Sequence, residues 1–541
     1  MPHSSSNPVL VDTASVHTVW QPDLGDGTYR NPVLYADYSD PDVIRVGDDF
    51  WMVASSFSHV PGLPLLHSRD LVHWSLVNHA LPCLIPRAHF ARPRHGGGVW
   101  APAIRHHAGR YWIFYPDPDF GIYVLTADHP RGRWSDPHLV LAGQGLIDPC
   151  PLWDDDGRCH LIYAWARSRS GRCNVLTLQE LSPDARGPVG PARDIICGEH
   201  LPGAHTLEGP KLHWRDGWYW VFAPGGGVAT GYQTVFRSRR IEGPYSGRIV
   251  LAQADTPVNG PHQGAWVDTP AGEHWFLHFQ ELPAYGRVVH LQPMRWRADG
   301  WPEIGTAVDA AGCGRPVLRH AMPRLPPDPR IAPPASDHFS SPNLGYQWQW
   351  QGNPDPDWAQ VDPASRTLRL RCVPLLNAAS HWDVSHLLLQ KFPAPGFIAE
   401  VDLRLDARHD GDAAGLMVFG CDYAWIGLRR IGGRLHAVFV RCENAHLGSS
   451  ERTLEQHLLP EKIDGRSIRL RLEVTPGALC RFAWSWPDTP RVTLETIFPA
   501  RSSRWVGAKF GLFASAYAAS PPTPDSPASS ALFRSFDVSA P

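Results

Sequence analysis

Residues 40–55 read DPDVIRVGDDFWMVAS: an Asp-Pro start, a short apolar run, a Gly-Asp turn and a second run of apolar and aromatic residues. Two such runs joined by turn residues form a β-hairpin signal. The second run, GDDFWMVASS from Gly47, recurs as GRYWIFYP from Gly109, GRCHLIYAW from Gly157, GWYWVFAP from Gly217 and GEHWFLHF from Gly272, at spacings of 62, 48, 60 and 55 residues. The first run, DPDVIRV from Asp40, recurs as WAPAIRHH from Trp100, DPCPLWDD from Asp148, EGPKLHWR from Glu208 and HQGAWVDT from His262. After several pairs comes a third element: SRDLVHW at Ser68, ADHPRGRW at Ala127 and SRRIEGPY at Ser238. These are expected to be outer strands closing on a turn. A unit of three or four strands, repeated and closed in a ring, is a β-propeller. Five units fill the span from Asn31 to Arg315. A sandwich with coincidental hairpins would not keep five matches in register.

Composition agrees. The chain has 541 residues, with Pro 54, Gly 48 and Trp 23, and only 19% charged residues. Pro and Gly break helices and populate turns, and no long 3.6-period helix is visible, so the chain reads as all-β. Most of the Trp rings are assigned to core packing. The net charge of −3 gives no reason for a nucleic-acid or anionic-membrane partner. No apolar stretch is long enough for a transmembrane helix.

From Arg319 the sequence RHAMPRLPPDPRIAPPAS reads as a semi-rigid Pro-rich linker. Beyond it, period-two runs return at Thr367, Phe397, Ala413, Leu435, Ser467, Cys480, Lys509 and Ala531. Such alternation means strands with one buried face, and that many strands make a sandwich. The expected domains are a five-bladed propeller over 25–318, a linker over 319–335 and a β-sandwich (jelly-roll, concanavalin-like) over 336–541.

In a propeller the innermost strands line a central channel, so their first residues converge at one end. The repeat register selects Asp40, Trp100, Asp148, Glu208 and His262. Three carboxyl groups in one small space repel one another unless one is protonated, a cation is bound or a substrate needs them. Two carboxyls across a sugar are what glycosidic hydrolysis requires, and a Trp on the same rim offers a stacking face. Asp-Pro is also a common turn starter, and His262 fits a structural strut near the axis better than a catalytic group. The register does not say which carboxyl is acid and which is base. Other motifs carry less. His274 and His278 do not form HExxH, and the GGG runs at Gly96 and Gly225 are turns rather than phosphate loops. DFGIY at Asp119 has no accompanying kinase motif, and no GxSxG elbow occurs.

The stretches NPVLYADYSDPDVIRVGDDFWMVASSFSHVPGLPLLHSRDLVHW, GGVWAPAIRHHAGRYWIFY, GLIDPCPLWDDDGR, HTLEGPKLHWRDGWYWVF, GPHQGAWVDTPAGEHWFLHFQ and GRVVHLQPMRWRADGWP together resemble glycoside hydrolase family 43, blade by blade. From Asp337, DHFSSPNLGYQWQWQGNPD resembles the concanavalin-like sandwich attached to β-xylosidase members of that family. The resemblance implies an inverting mechanism with Asp40 as general base and Glu208 as general acid. It makes Asp148 the carboxylate that holds the acid and raises its pKa. It also implies substrate contacts from Trp100, Phe57, Arg287 and His262, the last being the family's axial His. It favours exo-acting release of terminal xylose, with α-L-arabinofuranosidase or dual activity as the close alternative. A carbohydrate-binding propeller without catalysis would have lost a carboxylate, and none is lost. A fructan enzyme of family 32 or 68 would open on an NDPNG-like motif, which is absent. No organic cofactor is implied, a structural calcium near the axis or in the sandwich is left open, and so is a homo-oligomer. The opening MPHSSSNPVLVDTASVH lacks a secretory pattern. Ten scattered Cys favour a reducing interior. The expected compartment is therefore the cytoplasm, or the periplasm or exterior if the N-terminus is truncated.

Overall fold

The computed structural model describes residues 19–200, 204–307, 309–326, 328, 331–375, 380–460, 466–487, 489–517 and 528–541. Among them the only α-helix is the single turn Arg167–Ser170. Five sheets follow one another along the first part of the chain, four of them four-stranded and antiparallel and that of blade IV extended to six strands by Gly314–Arg315 and Thr306–Ala307. Blade I runs through Asp42–Val46, Asp49–Val53, Gly62–Ser68 and Ser75–Leu81. Blade II comprises Ala103–His107, Arg110–Asp117, Gly121–Ala127 and His138–Ala142. Blade III comprises Leu146–Trp153, Cys159–Trp165, Val175–Leu181 and Pro188–Cys197. Blade IV comprises Lys211–Arg215, Trp218–Gly225, Tyr232–Ser238 and Ser246–Ala252, and blade V His262–Asp268, His274–Leu282, Gly286–Trp296 and Pro302–Ile304. Each predicted hairpin is the first strand pair of its blade.

The motifs at Ser68, Ala127 and Ser238 are not outer strands. Each begins on the last residue of a third strand and forms the turn into the fourth. In blade I the physical reason is visible. Ser68 Oγ accepts from the N–H of Asp70 and Leu71, and Asp70 Oδ1 accepts from Val72 and His73, so these donors are spent within the turn rather than on a ladder.

A sheet blade has two apolar faces to bury, and a ring buries both against neighbours. Separate apolar cores accordingly sit between blades I and II, II and III, III and IV, and IV and V. A further core closes the ring between blades V and I, where Val43, Phe50 and Met52 meet Ala265, Trp275 and Leu277. The segment before blade I reinforces the closure. Leu34 exchanges backbone hydrogen bonds with Val289, and the Asn31 amide bonds both Leu291 and Val317. Arg45 pairs with Asp268 across the same seam at 2.8 Å. The start of the Pro-rich segment also belongs to the propeller: Arg319–Ala321 pairs antiparallel with Thr28–Arg30, and Met322 and Leu325 pack on the closing core.

The remaining chain forms a sandwich of an eight-stranded and a seven-stranded sheet. Its interior is one large apolar core, fed by alternating strands such as Phe397–Asp406, whose residues are buried at every second position. That core continues into the propeller through Ala284, Tyr285 and Val288. Backbone bonds join Val60 to Trp350 in both directions, and Ala508 N–H donates to Ala284 at 2.6 Å. The His95 ring stacks on Trp382 at 3.6 Å between centroids. Asn353 is a polar pin: its amide donates to Leu84 O and Arg87 O and accepts from Leu84 N. Asn353→Ala leaves those groups without their partner, at a cost of about 1–3 kcal/mol. A lower melting midpoint of the full chain in calorimetry, by a few degrees, is the expected outcome.

Candidate active site

At or just before the start of the first strands of blades I, III, IV and V stands a residue in the left-handed region: Asp40 (φ 56°), Asp148 (φ 56°), Gly209 (φ 58°) and Gln263 (φ 45°). Such values are uncommon for residues other than Gly and gather at functional sites. The structural register therefore differs from the sequence register by one place in three blades. Asp40, Ala101, Asp148, Gly209 and Gln263 are equivalent, while Trp100, Glu208 and His262 each lie one residue earlier. A bulge at Asp148 and another at Gln263 turn the chain at this point. The one-residue offset still brings the side chains to the same end of the channel.

Asp40 is held tightly. Its carboxylate accepts from Ser39 Oγ at 2.7 Å, Ser55 Oγ at 2.5 Å and Arg287 Nη1 at 3.1 Å. Arg287 Nη1 also donates to Ser39 Oγ at 2.8 Å, and Nε stands 3.5 Å from Glu281. Burial opposes the Arg287 charge, but Asp40 above all, with Glu281, Asp37 and Glu208, outweighs burial and raises its pKa. Asp148 Oδ2 accepts from Gly209 N–H at 2.8 Å and Gln263 Nε2 at 3.3 Å, so it braces the backbone next to Glu208. Burial first, then the charges of Glu208 and Asp40, push the Asp148 carboxyl well above its ordinary value. Glu208 is the most open of the three. Its side chain is 21% exposed, against 5% for Asp40. Glu208 Oε1 meets His262 Nε2 at 2.9 Å.

His262 is wholly buried. It cannot offer its ring to a substrate; it is a strut behind Glu208, which corrects its expected place among the substrate contacts. Arg287 is nearly buried as well, and its Nη1 is committed to Asp40 and Ser39 rather than free for sugar hydroxyls. Phe57 is buried, and its backbone exchanges two hydrogen bonds with Val99. A Cβ at Gly98 would lie 2.5 Å from Phe57 O, so this approach demands glycine. The Phe57 ring lies 6.4 Å from Trp100, which is half-buried and donates from Nε1 to Gly96 O at 2.9 Å.

Sequence reasoning missed two features. The first is the next layer of the channel, two residues along each inner strand: Asp42, Cys150 and Lys211, with Arg105 beyond. Arg105 Nη1 bonds Asp42 at 2.7 Å, Arg105 Nη2 lies 2.7 Å from Cys150 Sγ, and the buried Lys211 bonds Pro102 O at 3.0 Å and lies 3.9 Å from Asp42. Period-two counting from the Asp-Pro motifs is the signal that would have found it. The second is Trp505 of the sandwich, whose ring lies 6.2 Å from Trp100 and 5.6 Å from the Arg287 guanidinium. It is half-exposed and spans the space between the aromatic wall and the Asp40 pair. No local pattern announces it. Among the described residues no cluster of three or more His, Cys, Asp or Glu is arranged to hold a metal ion.

The profile of Glycosyl hydrolases family 43 matches residues 29–302, and that of the Beta xylosidase C-terminal Concanavalin A-like domain matches residues 336–534. A putative beta-xylosidase of Xylanibacter ruminicola is 40% identical over 425 residues, covering 78% of this chain and 77% of its own. A non-reducing end alpha-L-arabinofuranosidase, BoGH43B of Bacteroides ovatus, is 29% identical over 423 residues, covering 73% and 74%. Among solved structures, a bifunctional GH43-CE protein of Bacteroides eggerthii aligns with a TM-score of 0.80 at 26% identity, over 95% of this chain and 64% of that one. The fold is also that of a xylan beta-1,4-xylosidase from Bacillus halodurans C-125, with a TM-score of 0.79 at 24% identity over 94% of this chain and 100% of the other. A family profile over the whole ring, a second over the sandwich and a relative of this identity agree with the carboxyl-lined channel mouth: the chain belongs to glycosyl hydrolase family 43 and is a glycosidase.

Proposed function

We propose that this chain is an inverting, exo-acting glycosidase that releases terminal xylose from β-1,4-xylo-oligosaccharides. The observation that carries the reading is one buried carboxylate clamped by a guanidinium, Asp40, facing the same space as one accessible carboxyl, Glu208. Asp40, kept in one orientation by Ser39, Ser55 and Arg287, takes a proton from a water as that water attacks the anomeric carbon. Glu208 gives its proton to the glycosidic oxygen as the bond to the leaving sugar breaks. Asp148 braces the Glu208 loop through Gly209 N–H. Burial, and then the charges of Glu208 and Asp40, disfavour the charged form of Asp148.

The name of the Xylanibacter relative supports xylose as the sugar. The Bacteroides arabinofuranosidase supports the second reading, an α-L-arabinofuranosidase or a dual enzyme. Nitrophenyl β-D-xyloside and nitrophenyl α-L-arabinofuranoside assayed side by side decide between them, with the higher kcat/KM expected for the xyloside. Asp40→Asn and Glu208→Gln should each lower kcat by roughly 10²–10⁴-fold on whichever sugar is cleaved, with circular dichroism unchanged. Wild-type turnover in either variant removes the assignment.

Asp148→Asn has a signed consequence for stability. The folded pKa of Asp148 lies above its unfolded value, so its stabilising contribution is complete below about pH 4 and is lost as pH rises through the folded value. The variant should therefore melt higher than the unmodified chain at pH 8, and the gap should shrink near pH 4. Trp505→Ala should raise KM roughly three- to tenfold through loss of an aromatic wall, while the melting midpoint stays near that of the unmodified chain.

A further inference from the structure

Between blade I and the sandwich lies a cavity of about 510 Å3, apart from the channel mouth. Tyr35, Val72, Trp74, Ile331 and Pro333 give it apolar and aromatic walls. Its polar lining includes His79, on the strand Ser75–Leu81, and Gln390 and Lys391, on the sandwich strand Leu387–Lys391.

Lys391 stands directly opposite Lys509 in the antiparallel pairing of two neighbouring strands. Like charges opposite each other on a sheet destabilise it; Lys509 is withdrawn from water at 2% exposed, and Lys391 is partly buried. Neither ammonium has a carboxylate within ion-pair distance among the described residues. Lys509 Nζ donates to Gln349 Oε1 at 3.3 Å, and Lys391 Nζ stands 5.2 Å from the centroid of Tyr38. Asp37 is the one acidic group whose charge reaches both lysines, and its two oxygens already accept the N–H groups of Arg287 and Gly507. Two more polar atoms are buried without a partner: the Gln390 amide Nε2, on a residue 3% exposed, and His79 Nδ1. Burial pushes the Lys391 ammonium down; burial and then Lys391 push Lys509 down further. His59 and His79 face the same pair and are lowered by burial and by both lysine charges. Two like charges, one buried and one partly buried on a cavity wall that also carries an unspent amide donor, have no carboxylate partner within ion-pair distance among the described residues.

We propose that this cavity binds a small organic carboxylate with an apolar or aromatic body, the carboxylate taken by Lys391 and the Gln390 amide and the body by Trp74, Tyr35 and their neighbours. The volume lies within the range of small-molecule sites; the apolar and aromatic walls suit the body of the ligand, and Asp537 is the acidic side chain on the lining. Titration calorimetry of the full chain with sodium benzoate, its neutral isostere benzamide and inorganic phosphate tests this. Expected are saturable one-to-one binding of benzoate and at least tenfold weaker binding of benzamide and of phosphate. Lys391→Met should weaken benzoate at least tenfold while the near-ultraviolet circular dichroism stays unchanged. Asp40→Asn should bind benzoate as the unmodified chain does, which separates this cavity from the channel mouth. The three-ligand comparison on the unmodified chain decides the matter even if the lysine variant folds poorly. Benzamide or phosphate binding as tightly as benzoate, undiminished binding in a folded Lys391→Met, or no saturable binding of benzoate would overturn the proposal.

Discussion

The contact between Arg287 and Asp40 is what allows three carboxyl groups to share the mouth of one narrow channel. Asp40, Asp42, Asp148 and Glu208 lie along this stretch of the axis, with Asp37 and Glu281 beside Arg287, and the cations among them are Arg105, Lys211 and Arg287. Carboxyls outnumber cations, and burial makes unpaired negative charge costly. Burial and the neighbouring charges accordingly disfavour the charged form of Asp148. The left-handed backbone at Asp40 and Asp148 is the local cost of pointing both side chains inward.

The sandwich is part of this arrangement and not a passenger. Asp37, three residues before Asp40, accepts from Arg287 N–H and from Gly507 N–H of the sandwich. A Cβ at Gly286 would lie 2.5 Å from Asp37 and 2.6 Å from Gly507 N, so the two domains meet here at a spacing only glycine allows. The same sandwich loop carries Trp505 to the rim. Displacing the sandwich would therefore disturb the backbone on which Arg287 is mounted, and through it Asp40.

Much of this was legible in the chain. The five hairpins were visible because apolar periodicity and turn chemistry are local properties, and each became the first strand pair of a blade. The eight sandwich runs all became strands. The strands that escaped notice fail the same test. Tyr423–Ile431 is buried over six successive residues, so it does not alternate, and Arg452–Leu458 is mostly exposed, so it has no apolar face to announce it. The turn at Ser68 reads as a strand because Leu71, Val72 and Trp74 pack beneath a turn whose donors are satisfied by the Ser68 and Asp70 side chains.

The amino-acid order by itself determined a ring of five sheets, a following sandwich and the identity of the three carboxyls, since all of these follow from spacing, alternation and residue chemistry within tens of residues. Tertiary structure alone decided the rest. The left-handed backbone at Asp40, Asp148, Gly209 and Gln263 depends on packing and is not encoded in a motif. Burial turned His262 and Arg287 from expected sugar contacts into supports for Glu208 and Asp40. The encounters of Asp37 with Gly507, Trp100 with Trp505 and Lys391 with Lys509 join residues more than 100 positions apart. No periodicity spans such distances; only the closed ring and the sandwich seated on it bring those side chains together.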